Sequence, residues 1–323
     1  MVALVEIQWW HWVAFVVAVL FLLALDLGII HRKAHVVHFG EALSWTAAWF
    51  VLAMGFALLL KHLRGSDDAV DFVNGYLIEL SLSMDNVFVM AVIFSYFKVP
   101  SLYQHRVLFW GIIGALLMRG LMIWLGVELI HSYRWMLYAF GVFLVLTGIR
   151  MLLPEEEDAF NPQRNPILRL AQRYFHVTKE YDGQKLFTLE QGKRVLTPLA
   201  LVLILVESMD LMFALDSIPA ILGVTDDTFI VFTSNVFAIL GLRSLYFVLA
   251  GAISYFRYLK YGLSAVLAFI GFKMLIVDWY KIPGRWALFV VIAIIFTAMA
   301  VSWIAMWREQ RSGKAGRPSE PNR

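Results

Sequence analysis

The stretch Gly75-Tyr-Leu-Ile-Glu79-Leu-Ser-Leu-Ser83-Met-Asp85-Asn86-Val-Phe88 lies inside an apolar run long enough to cross a bilayer, yet it holds two carboxylates, two serines and an amide. Ionisable groups are costly in hydrocarbon, so a span that keeps them turns them toward the protein interior and marks a functional site. A second stretch, Glu207-Ser-Met-Asp210-Leu-Met-Phe-Ala-Leu-Asp216-Ser217, has the same character. The chain is expected to bring the two together.

Around them the composition is that of a membrane bundle. Of 323 residues, 61% are hydrophobic and only 16% charged, with a mean hydropathy of +0.73. A water-exposed surface cannot be built from such a sequence, whereas spans can face lipid. There is no cysteine, which removes disulfides, thiolate metal sites, iron-sulfur clusters and dithiol redox chemistry. The first apolar run is too long for a secretory signal and lacks a basic start and a small-residue cleavage site, so it reads as a span. Windows of about 20 residues fall near 8–30, 43–60, 72–95, 107–128, 135–153, 196–222, 229–251, 260–278 and 286–307. Lys and Arg outside these windows concentrate on one side; the other holds only Lys61, Arg64, Arg134, Lys281 and Arg285. The bias places the N-terminus outside and the C-terminus in the cytoplasm. The net charge of +3 therefore reports orientation, and nucleic-acid binding is not expected. Trp9, Trp10 and Trp12 read as an interfacial belt.

The two polar stretches belong to an internal repeat. Glu79-x5-Asp85-Asn86 matches Asp210-x5-Asp216-Ser217. Tyr138, Leu144, Gly148 and Arg150-Met-Leu match Tyr261, Leu267, Gly271 and Lys273-Met-Leu at an offset of 123, as Arg134 matches Arg257, and Arg119 matches Arg243 at 124. Each unit has three spans, so the second copy enters from the opposite side. Inverted three-span units with polar helices at a shared midplane recur in secondary transporters. The expected fold is an all-α integral membrane protein of about nine transmembrane helices containing an inverted repeat of two three-helix units. Its parts are two N-terminal scaffold helices (1–71), repeat 1 (72–153), a cytoplasmic loop (154–195), inverted repeat 2 (196–278), a C-terminal helix (279–307) and a basic tail (308–323). Within the loop, Glu155–Asp158 reads as solvated surface, 167–175 as a short amphipathic helix and 187–195 as a hairpin.

At about 100 degrees per residue, Glu79, Ser83 and Asn86 share an arc of about 60 degrees, and Glu207, Asp210 and Ser217 one of about 80 degrees. Asp85 and Asp216 lie about 120 degrees from those stripes on a regular helix. Either each serves another neighbour, or its helix unwinds, for which Pro219 gives an opportunity in the second copy. Five acids (Glu79, Asp85, Glu207, Asp210, Asp216) and two intramembrane bases (Arg119, Arg243) leave a formal deficit of three charges, which protons or bound cations must supply. The donors are oxygens, and all eight His lie near span ends or in loops, which favours Mg²⁺, Ca²⁺ or Mn²⁺ over zinc or copper. Met84, Met209 and Met212 incline the choice toward Mn²⁺. The competing reading makes the acids structural partners of the arginines. Asn235 fits interhelical hydrogen bonding and ligation equally, and Asp26 fits capping better than ligation.

Three segments carry a family resemblance: Gly75-Tyr-Leu-Ile-Glu79-x3-Ser83-x-Asp85-Asn86-Val-Phe-Val, Glu207-x2-Asp210-x3-Ala-Leu-Asp216-Ser217-Ile-Pro219-Ala, and Thr233-Ser-Asn235-x-Phe-Ala-Ile-Leu-Gly-Leu-Arg243. In these the chain resembles the TerC family of bacterial integral membrane proteins, especially its Alx-type members, within a broader lysine-exporter-like group of small exporters. The resemblance implies export of divalent metal, chiefly manganese, across the bacterial cytoplasmic (inner) membrane, in a family also linked to tellurium resistance and redox modulation. It implies metal ligands at Glu79, Asp85, Asn86, Glu207, Asp210, Asp216 and Ser217. Ser83, Asn235 and Asp26 are further candidates, with Arg119 and Arg243 as counter-charges. The expected partners are the divalent ion, as transported substrate, and the lipid bilayer; a homo-oligomer is compatible. No permanent cofactor and no enzyme activity are expected, since no nucleotide motif, paired haem ligand or activated nucleophile is present. The alternative is a non-transporting membrane scaffold or redox and stress modulator.

Overall fold

A backbone in hydrocarbon has to satisfy its own hydrogen bonds, and a chain this apolar does so with helices. The structure, a computed structural model, describes residues 6–25, 39–152, 168–170, 173, 175–178, 180–190, 192–250 and 259–311. Among these are nine helices: α1 (Trp9–Leu25), α2 (Phe39–Leu63), α3 (Ser66–Tyr96), α4 (Ser101–Ser132), α5 (Trp135–Leu152), α6 (Pro198–Leu222), α7 (Thr228–Ala250), α8 (Leu259–Leu275) and α9 (Gly284–Arg311). Seven of them, all but α1 and α8, are long and apolar enough to cross a membrane, and Trp9–Ala24 forms a shorter apolar helix. The protein is an all-α, multi-pass integral membrane protein.

Polar residues decide where the helices begin. Helix α3 starts six residues before its hydropathy window, because Asp67, Asp68 and Asp71 occupy its first turns, where the helix dipole favours acids. Thr197 caps α6, accepting from the Ala200 amide at 3.4 Å, with Pro198 at the first helical position. Asp227 Oδ1 accepts from the amides of Phe229 and Ile230 at 2.9 and 3.1 Å and so caps α7. Inside the spans, hydroxyls turn back onto the helix: Ser81 donates to the Leu77 carbonyl at 2.6 Å and Thr233 to that of Phe229 at 2.8 Å.

Burial ranks the helices. The span window of α7 is 89% buried and those of α3 and α6 are 50% buried, against 22% for α2 and α9, so α7 is the axis and α2 and α9 face outward. Helix α3 packs on α7 and α6, α4 on α6 and α7, and α5 on α8. In terms of the sequence units, first helix meets second helix crosswise and third meets third. The α5–α8 contact is reciprocal down to single residues. A Cβ on Gly271 would lie 2.6 Å from the Gly141 carbonyl oxygen, and one on Gly148 would lie 2.8 Å from that of Ser264. Gly141 and Ser264 are themselves equivalent at the offset of 123. Ser264 also donates to the Gly148 carbonyl at 2.5 Å. At the ends of the same helices, Asp278 accepts from Tyr138 and from Arg134, and these two bonds hold its carboxyl below the usual carboxylate range.

Between α5 and α6 the expected hairpin is present as β1 (Phe187–Glu190) and β2 (Lys193–Leu196), antiparallel, with Phe187 opposite Leu196. Tyr181 donates to the Phe97 carbonyl at 2.7 Å, and Leu168 and Leu196 join Val99 and Phe94 in the core, so this loop closes the ends of α3, α4 and α6. Of the expected helix at 167–175, residues 168–170 and 173 are helical. Phe175 is a bend; residues 167, 171, 172 and 174, the acidic run Glu155–Asp158, Asp26 and the tail beyond Arg311 lie outside the described residues. Trp9 and Trp10 are exposed, but Trp12 packs edge-on against Phe229 at 5.2 Å.

The α5–α8 crossing generates a stability test. Gly271→Ala is expected to lose about 1–3 kcal/mol, because its new methyl group meets backbone, whereas Gly55→Ala, with nothing within 4 Å, is expected to be neutral or slightly stabilising. Thermal unfolding followed by tryptophan fluorescence in detergent compares them.

Candidate functional site: a buried guanidinium among oxygens

Close helix approach brings the polar residues together. Gly75 lets α3 lie against α7, where a Cβ would stand 2.6 Å from Ser234 Oγ. This places Asn235 of α7 beside the polar stripe of α3. Arg119 of α4, 1% exposed, enters the junction.

Its guanidinium is surrounded by oxygen. Nη1 donates to Glu79 Oε1 of α3 and lies 3.3 Å from both Ser217 Oγ of α6 and Asn235 Oδ1 of α7. Nη2 and Nε reach Asp210 Oδ1 and Oδ2 of α6 at 3.1 and 3.5 Å, a two-pronged contact. Ser83 donates to Glu79 Oε1 at 3.2 Å, and Asn235 Nδ2 donates to the Val231 carbonyl at 2.9 Å. Glu79, Asp210 and Arg119 are all buried, and each half of such a pair is tolerated only because the other is there.

The sequence candidates divide accordingly. Glu79, Ser83, Asp210, Ser217, Asn235 and Arg119 form one cluster. Asn86 lies farther along the α3 stripe, 3% exposed, and its Oδ1 has no hydrogen-bond partner among the described residues. Glu79 Oε2 is likewise enclosed without one. Glu207 stands at the edge of the cluster, half-buried, in a cavity shared with Asp210, Met90, Leu108, Leu242 and Arg243. Its carboxylate presses on the α4 backbone at Gly114, where any Cβ would come within 2.1 Å. Among the described residues no three Asp, Glu or His side chains converge as a metal-holding group; two carboxylates converge on a guanidinium instead.

Asp85 and Asp216 stay outside the cluster. Helices α3 and α6 are continuous across them, Pro219 included, so the 120-degree offset is kept and no unwinding turns them inward. Asp216 serves another neighbour: it accepts from Thr147 of α5 at 3.4 Å. Asp85 is half-buried and is not among the groups on Arg119. Arg243 contacts His105 of α4 and lines the cavity. Sequence reasoning missed His105, Thr147 and Gly114. His105 stands four residues beyond the start of α4, and the signal for it in the sequence is its position one turn from Leu108, which lines the cavity.

A many-helix membrane protein with an ionic cluster sealed at the junction of α3, α4, α6 and α7 is the class that fold and site define. The chain belongs to the TerC family: the model of the integral membrane protein TerC family matches residues 64–313. An uncharacterized membrane protein of Myxococcus xanthus is 50% identical over 293 residues, covering 91% of this chain and 92% of that protein. The protein named "Putative membrane-bound redox modulator Alx" in Escherichia coli (strain K12) is 43% identical over 312 residues, covering 94% and 97%. An uncharacterized membrane protein of Rickettsia bellii is 40% identical over 293 residues, covering 91% and 97%. No solved structure matches the chain significantly.

The unequal placement of the two aspartates of α6 is testable in the purified protein. Asp210→Asn, which breaks a buried ion pair, is expected to cost about 3–5 kcal/mol of stability. Asp216→Asn, which weakens one contact to Thr147, is expected to cost about 1 kcal/mol. Denaturant or thermal unfolding in the same detergent ranks them.

Proposed function

We propose that the protein exports a divalent cation, Mn²⁺ foremost, across the bacterial cytoplasmic membrane by alternating access, with protons as the counter-ion. In this reading the two three-helix units are related by inversion, the N-terminus is outside and the C-terminus is cytoplasmic. The partners are the ion and the bilayer. The reading needs no resident cofactor, nucleic acid or catalytic residue, and it accommodates a homo-oligomer.

The observation that carries it is the pair of enclosed oxygens on α3, Glu79 Oε2 and Asn86 Oδ1, neither with a donor. A buried acceptor without a partner costs the full desolvation of that group. Glu79, Ser83, Asn86 and Met90 follow one another at spacings of four, three and four residues, so the two oxygens lie on a single helix face that runs from the cluster to the cavity. A hard cation is the species that several such oxygens satisfy together. Glu207, at the cavity wall, is the first carboxylate an ion entering there would meet. The family resemblance supports manganese among the hard divalent ions.

A second reading, a non-transporting scaffold or redox and stress modulator, has one observation in its favour: both carboxylates are already paired with Arg119 within the protein. The name of the Escherichia coli relative points the same way.

Asn86 separates the two. An unpartnered buried amide replaced by a similar apolar group leaves stability unchanged or raises it by about 1–2 kcal/mol. Asn86→Leu is therefore expected to unfold no more easily than wild type, yet to lose most of its Mn²⁺ efflux from proteoliposomes under an imposed pH gradient. Wild-type protein without flux supports the scaffold reading, and full flux in Asn86→Leu contradicts the path along α3.

A further inference from the structure

We infer that Arg119 is a tethered occupant of the cation site, which leaves when the divalent ion arrives and pairs with Glu207. The inference rests on the export reading and adds how the site is kept neutral.

The surroundings of the guanidinium are those of a hard-metal site. Five oxygen atoms face it: Glu79 Oε1, Asp210 Oδ1 and Oδ2, Ser217 Oγ and Asn235 Oδ1, supplied by three helices. Two carboxylates, a hydroxyl and an amide oxygen are what Mn²⁺, Mg²⁺ or Ca²⁺ takes from a protein. A sixth oxygen, Glu79 Oε2, is enclosed there with nothing bonded to it. Arg119 is one positive charge where a doubly charged ion would suit the two carboxylates.

The structure also sets a third carboxylate beside α4. Leu108, Ile112, Ala115 and Arg119 follow one face of α4, and the first three line the cavity that holds Glu207. Among the described residues Glu207 makes no hydrogen bond or ion pair, and Asp210 and Arg243 line the same cavity. Arg119 turned along α4 toward Glu207, with the cavity widening to admit it, would find a carboxylate on which to settle. A divalent ion on Glu79 and Asp210 then matches those two carboxylates, and Glu207 matches Arg119. A monovalent ion leaves Glu79 and Asp210 one charge short, so the exchange selects for divalent cations.

Isothermal titration of Mn²⁺ into detergent-purified wild type, Arg119→Ala, Glu207→Gln and the double variant tests this. Removing the tethered competitor is expected to tighten Mn²⁺ binding by about tenfold or more, and free guanidinium at millimolar concentration is expected to compete in Arg119→Ala only. Glu207→Gln is expected to weaken binding about tenfold in wild type and to have little effect in the Arg119→Ala background, a non-additivity that a direct ligand would not show. Should Arg119→Ala not fold, Arg119→Lys, whose point charge cannot fill the forked site, is expected to bind Mn²⁺ tighter than wild type. Unchanged or weaker binding in the folded Arg119 variant, or an equal Glu207→Gln effect in both backgrounds, overturns the inference while leaving export intact. If wild type and variants alike bind no Mn²⁺, Mg²⁺ or Ca²⁺, the export reading itself fails.

Discussion

A fully buried guanidinium in a bundle of membrane helices survives only if its charge is met at contact distance, and this requirement organises the molecule. Arg119 is supplied by α4, Glu79 by α3, Asp210 and Ser217 by α6, and Asn235 by α7. Withdrawing α4 would leave two carboxylates uncompensated in the interior, and withdrawing α3 or α6 would strip the guanidinium of one of its two carboxylates. The apolar packing follows from the same junction. Ile78, Ile123, Ala214, Ile218 and Ile221 fill one flank, and Met90, Leu108, Leu205, Val206 and Leu242 the other. Helices α1, α2 and α9 carry no member of the cluster and have more exposed apolar surface, as expected of helices that meet lipid.

The elements were largely legible because a membrane restricts what a sequence can mean. Apolar runs mark spans, and Gly192, at positive φ, marks the hairpin turn. Regular spacing of acids in two of those spans pointed to the segments that meet. Helix ends were less legible: Asp67, Asp68 and Asp71 look like loop to a hydropathy window but are helical, because acids are favoured at a helix start. The pairing within the site was legible only in part. Helix periodicity separated Glu79, Ser83 and Asn86 from Asp85, and the continuous α3 and α6 kept that separation. Which side chain meets Arg119 depends on the approach of other helices, set by Gly75 against Ser234 and by Gly114 against Glu207. Such contacts join residues more than 90 positions apart, and no local pattern encodes them. The near-repeat did not reveal individual partners either: Arg119 and Arg243 occupy matching positions, and neither the grip of Arg119 on two carboxylates nor the contact of Arg243 with His105 follows from the offset.

That inequality between the halves bears on how the site would work. One side of the junction is a closed ionic cluster, and the other is a cavity whose carboxylate, Glu207, is held against bare backbone. The cluster holds two carboxylates to one guanidinium, the cavity holds Glu207 with Arg243 on its wall, and α4 borders both. A cation crossing this junction would exchange places with a charge that the protein already carries, which keeps the hydrocarbon interior near neutrality at each stage. The redox role in the names of several relatives would have to proceed without thiols in this chain, which has no cysteine.

The most direct measurement is a structure of the protein loaded with Mn²⁺, with anomalous scattering used to locate the ion. The account predicts one manganese peak among Glu79, Asp210, Ser217 and Asn235, with the Arg119 guanidinium moved onto Glu207. Manganese bound elsewhere with Arg119 still on Glu79 and Asp210, or no bound manganese at saturating concentration, would contradict it.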